Sequence, residues 1–260
     1  MQFNDQLGRT ISLDKFPKRI VSLVPSQTEL LFDLGLDSRV VGTTKFCIHP
    51  NSWYVSKHRV GGTKNVNFEV IKKLQPDLII ANKEENTQSE IELLMKDYPV
   101  WVSDIGNLED ALMMIGDIGE VTDSSEKALS IVNNIKADFA DLVPQTNISA
   151  AYIIWNNPIM SVNKTRFIHD MLHRIGFTNV FAAHLNEYPE INVQELKNSN
   201  PDVILLSSEP FPFKAKHVEY FREICPSAKV VLVDGELFSW YGSRLQKSVA
   251  YFSNLLKQIY

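Results

Sequence analysis

The sequence predicts an α/β protein of two similar lobes with mainly parallel sheets, bridged by one long helix. Three observations predict it. A helix-turn-strand unit occurs twice, at Asn67 to Ile80 (NFEVIKKLQPDLII) and Asn192 to Leu205 (NVQELKNSNPDVIL), with a Pro-Asp turn starting nine residues after each Asn. The runs that end these units, Leu78–Ile80 and Val203–Leu205, are wholly apolar, as in strands buried on both faces of a parallel sheet. Between the units, Ser124 to Leu142 places Ala128, Ile131, Val132, Ile135, Phe139 and Leu142 on one stripe at helical period. Asp123 to Glu126 offers a capping pattern at its start and Pro144 a stop. At 1.5 Å per residue such a helix is about 28 Å long. These features divide the chain into a first lobe (1–106), linking helices (107–145) and a second lobe (146–260).

The remaining elements follow in order. Phe3 to Phe16 turns around Leu7-Gly8-Arg9 and reads as an edge hairpin. Arg19 to Val24 is a strand ended by Pro25, and Ser26-Gln-Thr-Glu29 reads as a capping box for a helix that stops at Gly35. Arg39 to Thr44 is a second strand, and Lys45 to Asn65 reads as irregular. A helix at Glu90 to Lys96 and a strand at Val100–Val102 complete the lobe. Asn107 then caps a helix that leads into the long one. In the second lobe, a strand at Ala150–Trp155 meets a turn at Asn156-Asn157-Pro158. A helix from Phe167 ends at Gly176. After the second repeat unit come the loop Glu209–Phe213, a helix through Phe221, the strand Lys229–Val233 and a closing helix from Leu245. Alternating strands and helices specify α/β.

Composition excludes several classes. Apolar residues make up 44% of the 260 and charged residues 22%, ordinary for a globular protein. A net charge of −5 gives no basic footprint for nucleic acid or an anionic membrane. No apolar run is long enough to span a bilayer. The first residues (MQFNDQLGRTISL) show neither a basic start nor an apolar core, so no signal peptide is expected in them. Cys47 and Cys225 fall in different lobes, so no disulfide is expected.

Catalytic and nucleotide motifs are absent: no G-x-G-x-x-G, P-loop, G-x-S-x-G or H-E-x-x-H. His169 and His173 share a helix without a third ligand nearby and read as a polar flank. Cys47 with His49 carries no local sign of a reactive thiol. No metal site and no cofactor are therefore expected.

Polar and aromatic residues at strand carboxyl ends stand out, because ligands of α/β sheets sit there. Ser26 and Thr28 follow the first strand, at a helix start whose free N–H groups suit an anion. Thr44, Lys45 and Phe46 follow the second. Trp155 and Asn157 end the first strand of the second lobe, and Trp240, Tyr241 and Arg244 follow its last. Should the lobes face each other, these residues converge on one cleft with aromatic walls and a few cations. Such a cleft suits a large, flat, partly anionic ligand. Plainer roles stay open: Trp155 and Trp240 as core aromatics, Thr44 and Phe46 as packing.

These words, in this order, resemble the helical-backbone solute-binding proteins of ABC importers, which include the cobalamin- and ferric-siderophore-binding proteins. The resemblance runs through Pro17-Lys-Arg-Ile-Val-Ser-Leu-Val-Pro-Ser-Gln-Thr-Glu29, Val40-Val-Gly-Thr-Thr44, Gly61-Gly-Thr63 and Pro76-Asp77. In the second lobe it resumes at Trp155-Asn-Asn-Pro158, Gly176-Phe-Thr-Asn-Val-Phe181, Pro201-Asp202 and Gly242-Ser-Arg-Leu245. It implies a non-enzymatic binding protein acting outside the cytoplasmic membrane. A corrinoid, haem or ferric chelate would lie between the lobes for delivery to an ABC permease and its ATPase, with the protein a monomer. It also implies one permease-docking carboxylate per lobe. Glu84 and Glu209, each seven residues beyond the repeated Asp, supply that pair, with Glu85 the alternative and a solvated loop role the plainer one. Phe46 stands where many relatives carry Tyr, so no phenolate contact to iron is implied. Two other readings are a cytoplasmic corrinoid or metal-chelate sensor and a tetrapyrrole chelatase-like enzyme. A chelatase needs a His and a carboxylate converging on the metal.

Overall fold

In the first of two compact units, the central strand is flanked by the segments that follow it in the chain. A computed structural model describes residues 1–142 and 148–259. The first unit comprises 1–105, 109–135 and 241–244, and the second 106–108, 136–240 and 245–260. Strands β1 (Gln2–Asn4) and β2 (Thr10–Ser12) form the expected antiparallel hairpin. Next come β3 (Ile20–Ser22), α1 (Pro25–Asp33), β4 (Val40–Thr43), α2 (Asn51–Ser56) and β5 (His58–Arg59). Then follow α3 (Phe68–Leu74), β6 (Leu78–Asn82), α4 (Gln88–Leu94), β7 (Val100–Ser103), α5 (Leu108–Val121) and α6 (Ser125–Ala140). The sheet is wholly parallel, in the order β5-β4-β3-β6-β7. Its apolar core packs Val21, Ile79 and Val102 of the strands, with Leu23 just beyond β3, against Ile71 and Ile91 of α3 and α4.

The second unit contains β8 (Ile148–Ile153), a small hairpin of β9 (Trp155–Asn156) and β10 (Ile159–Met160), α7 (Phe167–Arg174) and β11 (Phe177–Asn179). It continues with α8 (Val193–Ser199), β12 (Val203–Ser207), α9 (Ala215–Ile224), β13 (Lys229–Val233), α10 (Glu236–Ser239) and α11 (Leu245–Ile259). Its parallel sheet has the order β11-β8-β12-β13. Two α/β units with parallel sheets are the predicted fold class.

The repeat seen in sequence recurs bond for bond. Asn67 Oδ1 accepts from Val70 N at 3.1 Å to start α3, and Asn192 Oδ1 accepts from Glu195 N at 2.8 Å to start α8. Each helix ends on a left-handed residue, Gln75 (φ 46°) and Asn200 (φ 40°). The repeated aspartates then tie each turn to the first strand of its sheet. Asp77 accepts from the backbone N–H of Lys18 and Arg19, and Asp202 from the N–H and hydroxyl of Ser149. In each unit, therefore, the same Asn–turn–Asp device fixes where a buried strand begins.

Four expectations change. Helix α1 begins two residues earlier than a capping box at Ser26 implies, on Pro25, with Val24 as N-cap and no side-chain cap, and Glu29 pairs with Arg244 instead. The stretch after β4 contains α2 and β5 instead of being irregular throughout. Strand β11 was not anticipated. The long helix is α6, shorter at both ends than its apolar stripe suggested, and the chain's division falls within it after Ile135. Pro144, expected to stop it, lies outside the described residues.

Candidate functional site

The carboxyl ends of the strands place the predicted residues in two kinds of setting. Some are sealed inside, holding loops in shape; others face outward.

In the first unit, Thr28 and Thr44 are fully buried. Thr28 Oγ1 lies 2.8 Å from both Val24 O and Ser22 Oγ, and 3.1 Å from Cys47 Sγ. Thr44 Oγ1 lies 3.2 Å from the same sulfur and accepts from Phe46 N at 3.3 Å. Burial pushes the Cys47 thiol up, so it is inert as a nucleophile. These groups close the β4 loop from within, and the loop presents Lys45 and Phe46 outward. Phe46 is 51% exposed, with Lys45 Nζ 5.1 Å from its ring centroid. Arg59, which the sequence reading passed over, braces the same loop by donating to Thr43 Oγ1 at 2.5 Å and Thr44 O at 3.2 Å.

Ser26, Tyr241 and Arg244 come together on α1. Gly242 makes this possible: at φ +130° a β-carbon there is strained and stands 3.2 Å from Ser26 O. Tyr241 is buried beside Ser26, and burial first, then Glu85 and Glu84, push its ionisation far up. Arg244 does not face an open anion site. Its Nε and Nη2 donate to the two oxygens of Glu29 at 2.7 and 2.9 Å, both side chains about nine-tenths buried. Local sequence carries no signal for this pair, since its members lie 215 positions apart.

In the second unit, Trp155 is 38% exposed; its Nε1–H donates to Asn157 O at 3.2 Å, and Asn157 sits exposed in the β9–β10 turn. Phe211, a wall residue the sequence reading missed, packs edge-on against Trp155 at 5.5 Å. Phe211 in turn stacks on Phe213 and His217, so this aromatic face is continuous with the core beneath α9. Trp240 is largely buried, and its Nε1–H donates to Glu209 Oε1 at 2.9 Å. Ser239 Oγ donates to the same oxygen at 2.6 Å.

The two candidate docking carboxylates differ in setting. Asn82 Oδ1 accepts from the N–H of both Glu84 and Glu85 at 2.9 Å, which turns the loop so that Glu84 is exposed. Glu209 is drawn inward; burial, with Glu236 and Asp234, raises its carboxyl above the usual range, against the pull of Ser239 and Trp240.

Among the described residues, no group of three or more His, Cys, Asp or Glu is placed to hold a metal. His169 lies 3.4 Å from Asn179 Nδ2, and burial lowers its basicity. Asp170 between the histidines is engaged by Arg174 and Leu108 N. A His184–Glu195 pair at 2.7 Å was not anticipated. Cavities of about 440 and 340 Å³ lie on the first unit beside Arg9 and Met95, lined by none of the candidate residues.

Residues 20–220 match the family described as periplasmic binding protein. The chain belongs to the periplasmic binding protein family. Within it, the chain is 29% identical over 263 residues to the ABC transporter substrate-binding lipoprotein YvrC of Bacillus subtilis, covering 95% of this chain and 82% of that one. It is 25% identical over 195 residues to the vitamin B12-binding protein of Vibrio parahaemolyticus, covering 73% and 70%. The fold matches the periplasmic heme-binding protein RhuT of Roseiflexus at a TM-score of 0.80, with 18% identity over 94% and 98% of the chains. This periplasmic binding protein is therefore similar in sequence to a vitamin B12-binding protein and in fold to a periplasmic heme-binding protein.

Proposed function

We propose that this periplasmic binding protein captures a bulky, ring-bearing metal chelate, foremost a cobalamin-like corrinoid, and hands it to an ABC permease outside the cytoplasmic membrane. The observation that carries the reading is the pair of outward aromatic faces at strand carboxyl ends, Phe46 beside Lys45 in the first unit and Trp155 backed by Phe211 in the second. Rings of a macrocycle stack on such faces, and Lys45 meets peripheral carboxylate, amide or phosphate oxygens. Haem ranks behind the corrinoid because haem iron takes a His, Cys, Met or Tyr ligand from its protein. The outward-facing candidates are Phe46, Lys45, Trp155 and Asn157, none of which supplies one; Cys47 and Tyr241 are buried. Ser26 and Trp240 are secondary contacts in this reading, and Arg244 acts through its hold on Glu29. Thr28 and Thr44 act through the loop they shape.

Glu84 and Glu209 are proposed as the carboxylates that meet basic side chains of the permease, supported by their matched places in the repeat. No described helix is long and apolar enough to cross a membrane, in keeping with a partner that supplies the channel. A tryptophan-fluorescence titration tests the ligand reading. Cyanocobalamin is expected to quench saturably after inner-filter correction, with Trp155→Ala weakening binding about tenfold, the loss of one stacking face. An unchanged affinity in Trp155→Ala and Phe46→Ala would remove both faces from the site.

A further inference from the structure

Glu209, the proposed permease contact, and Trp240, a proposed ligand contact, form one hydrogen-bonded unit. The indole Nε1–H and the Ser239 hydroxyl converge on a single carboxylate oxygen, at 2.9 and 2.6 Å. Around them the site is tight. Ser207 Oγ donates to Glu209 O at 2.6 Å, and a β-carbon on Gly235 would stand 2.7 Å from Glu209 Cγ. The acids acting on Glu209 are Glu236 and Asp234, while Tyr152 lies close enough to feel its charge. The ionised carboxylate is thus held by neutral donors against like charges, so losing one donor changes its position and charge together. The same loop that carries Glu209 carries Phe211, which packs on Trp155.

We propose that Trp240 is a positioning residue for the docking carboxylate: its ring meets the ligand while its Nε1–H holds Glu209, so ligand occupancy fixes where that carboxylate stands. The proposal rests on the ligand and docking roles argued above. In this coupling a ligand packed on the indole restricts it, and the restricted N–H secures Glu209 in its charged, docking-ready form. Because coupling between two sites is reciprocal, ionised Glu209 must in turn favour the ligand.

The test needs no permease. Four tryptophans give four indole ¹⁵N–¹H signals, and that of Trp240 is expected to titrate with Glu209 in the empty protein and to stop titrating in Glu209→Gln. Saturation with cyanocobalamin, dicyanocobinamide or gallium protoporphyrin is then expected to move the midpoint to lower pH. Binding of the same probe should be at least about threefold tighter above the midpoint than below it, flat with pH in Glu209→Gln. Trp240→Phe keeps an aromatic ring, though a smaller one, and loses the N–H, so it is expected to bind the probe with no such pH dependence. A probe that binds without lowering the midpoint, or a Trp240→Phe protein with wild-type pH dependence, would overturn the coupling and leave the ligand reading standing. An indole signal in the empty protein that ignores Glu209 would do the same. If none of the three probes binds, the ligand reading falls and the coupling with it.

Discussion

Replacing Arg244 by Ala separates two roles that the sequence alone could not separate. In the structure its guanidinium forms a two-pronged pair with Glu29 inside the first unit, at 2.7 and 2.9 Å, with side-chain exposures of 10% and 9%. Removing one partner of a buried pair strips the other charge of that two-pronged contact, a loss of about 3–5 kcal/mol for such pairs. Replacing both partners by apolar groups of similar size is close to neutral by the same principle. Arg244→Ala is therefore expected to lower the urea midpoint of the first unit by an amount equivalent to about 3 kcal/mol. The double variant Glu29→Leu/Arg244→Met should recover most of that loss. The assay is equilibrium unfolding of both variants and of Glu29→Leu alone, followed by far-UV circular dichroism and tryptophan fluorescence to check that the transitions coincide. An Arg244→Ala protein within about 0.5 kcal/mol of wild type would refute the argument and return Arg244 to the role of an anion ligand. So would a double variant no better than Arg244→Ala.

Further consequences are open to measurement. Asp117, half-buried on α5 beside Glu120, has its carboxyl raised to about 6, burial being the larger cause. Since the folded value lies above the unfolded 3.8, the protonated form favours folding, and stability falls as pH rises from about 4 through about 6. Discounted for partial exposure, Asp117→Asn is expected to gain about 1–2 kcal/mol over wild type at pH 7.5 and nothing at pH 4, by urea unfolding at each pH. Asn67→Ala and Asn192→Ala each remove one N-cap bond of the repeat and should each cost about 1 kcal/mol; unequal effects of more than about twofold would show that the two caps are not equivalent. Cys47, sealed between Thr28 and Thr44, should react with a thiol reagent at pH 8 only on the time scale of unfolding; rapid labelling of native Cys225→Ser protein would contradict its burial.

What could be read from the sequence was what neighbouring residues decide among themselves. The two repeat units were legible because Asn, Pro-Asp and an apolar run each act within a dozen residues, and each recurs as the expected cap, turn and buried strand. Helix α2 was not legible. Its sequence, NSWYVS, has no apolar period; it is held instead by burial of Trp53 and by Arg59, which donates to the carbonyls of Trp53 and Tyr54 from outside the helix. The pattern Ser26 to Glu29 matched a capping box, yet the glutamate turns to Arg244, a partner that only the tertiary fold supplies. Position at a strand end identified the right neighbourhood for the site but not the direction each side chain takes: Thr28 and Thr44 point in, Phe46 and Trp155 out. Phe211 was missed because a loop phenylalanine carries no periodicity, and only its packing on Trp155 reveals it.

The most direct test of the central claim is isothermal titration calorimetry of the purified chain with cyanocobalamin, dicyanocobinamide, haemin and a ferric siderophore. Saturable one-site binding is predicted for a corrinoid, weakened in Trp155→Ala and accompanied by a negative heat-capacity change from burial of apolar rings. Saturable heat with none of the four, or binding as tight in Trp155→Ala and Phe46→Ala as in wild type, would contradict it.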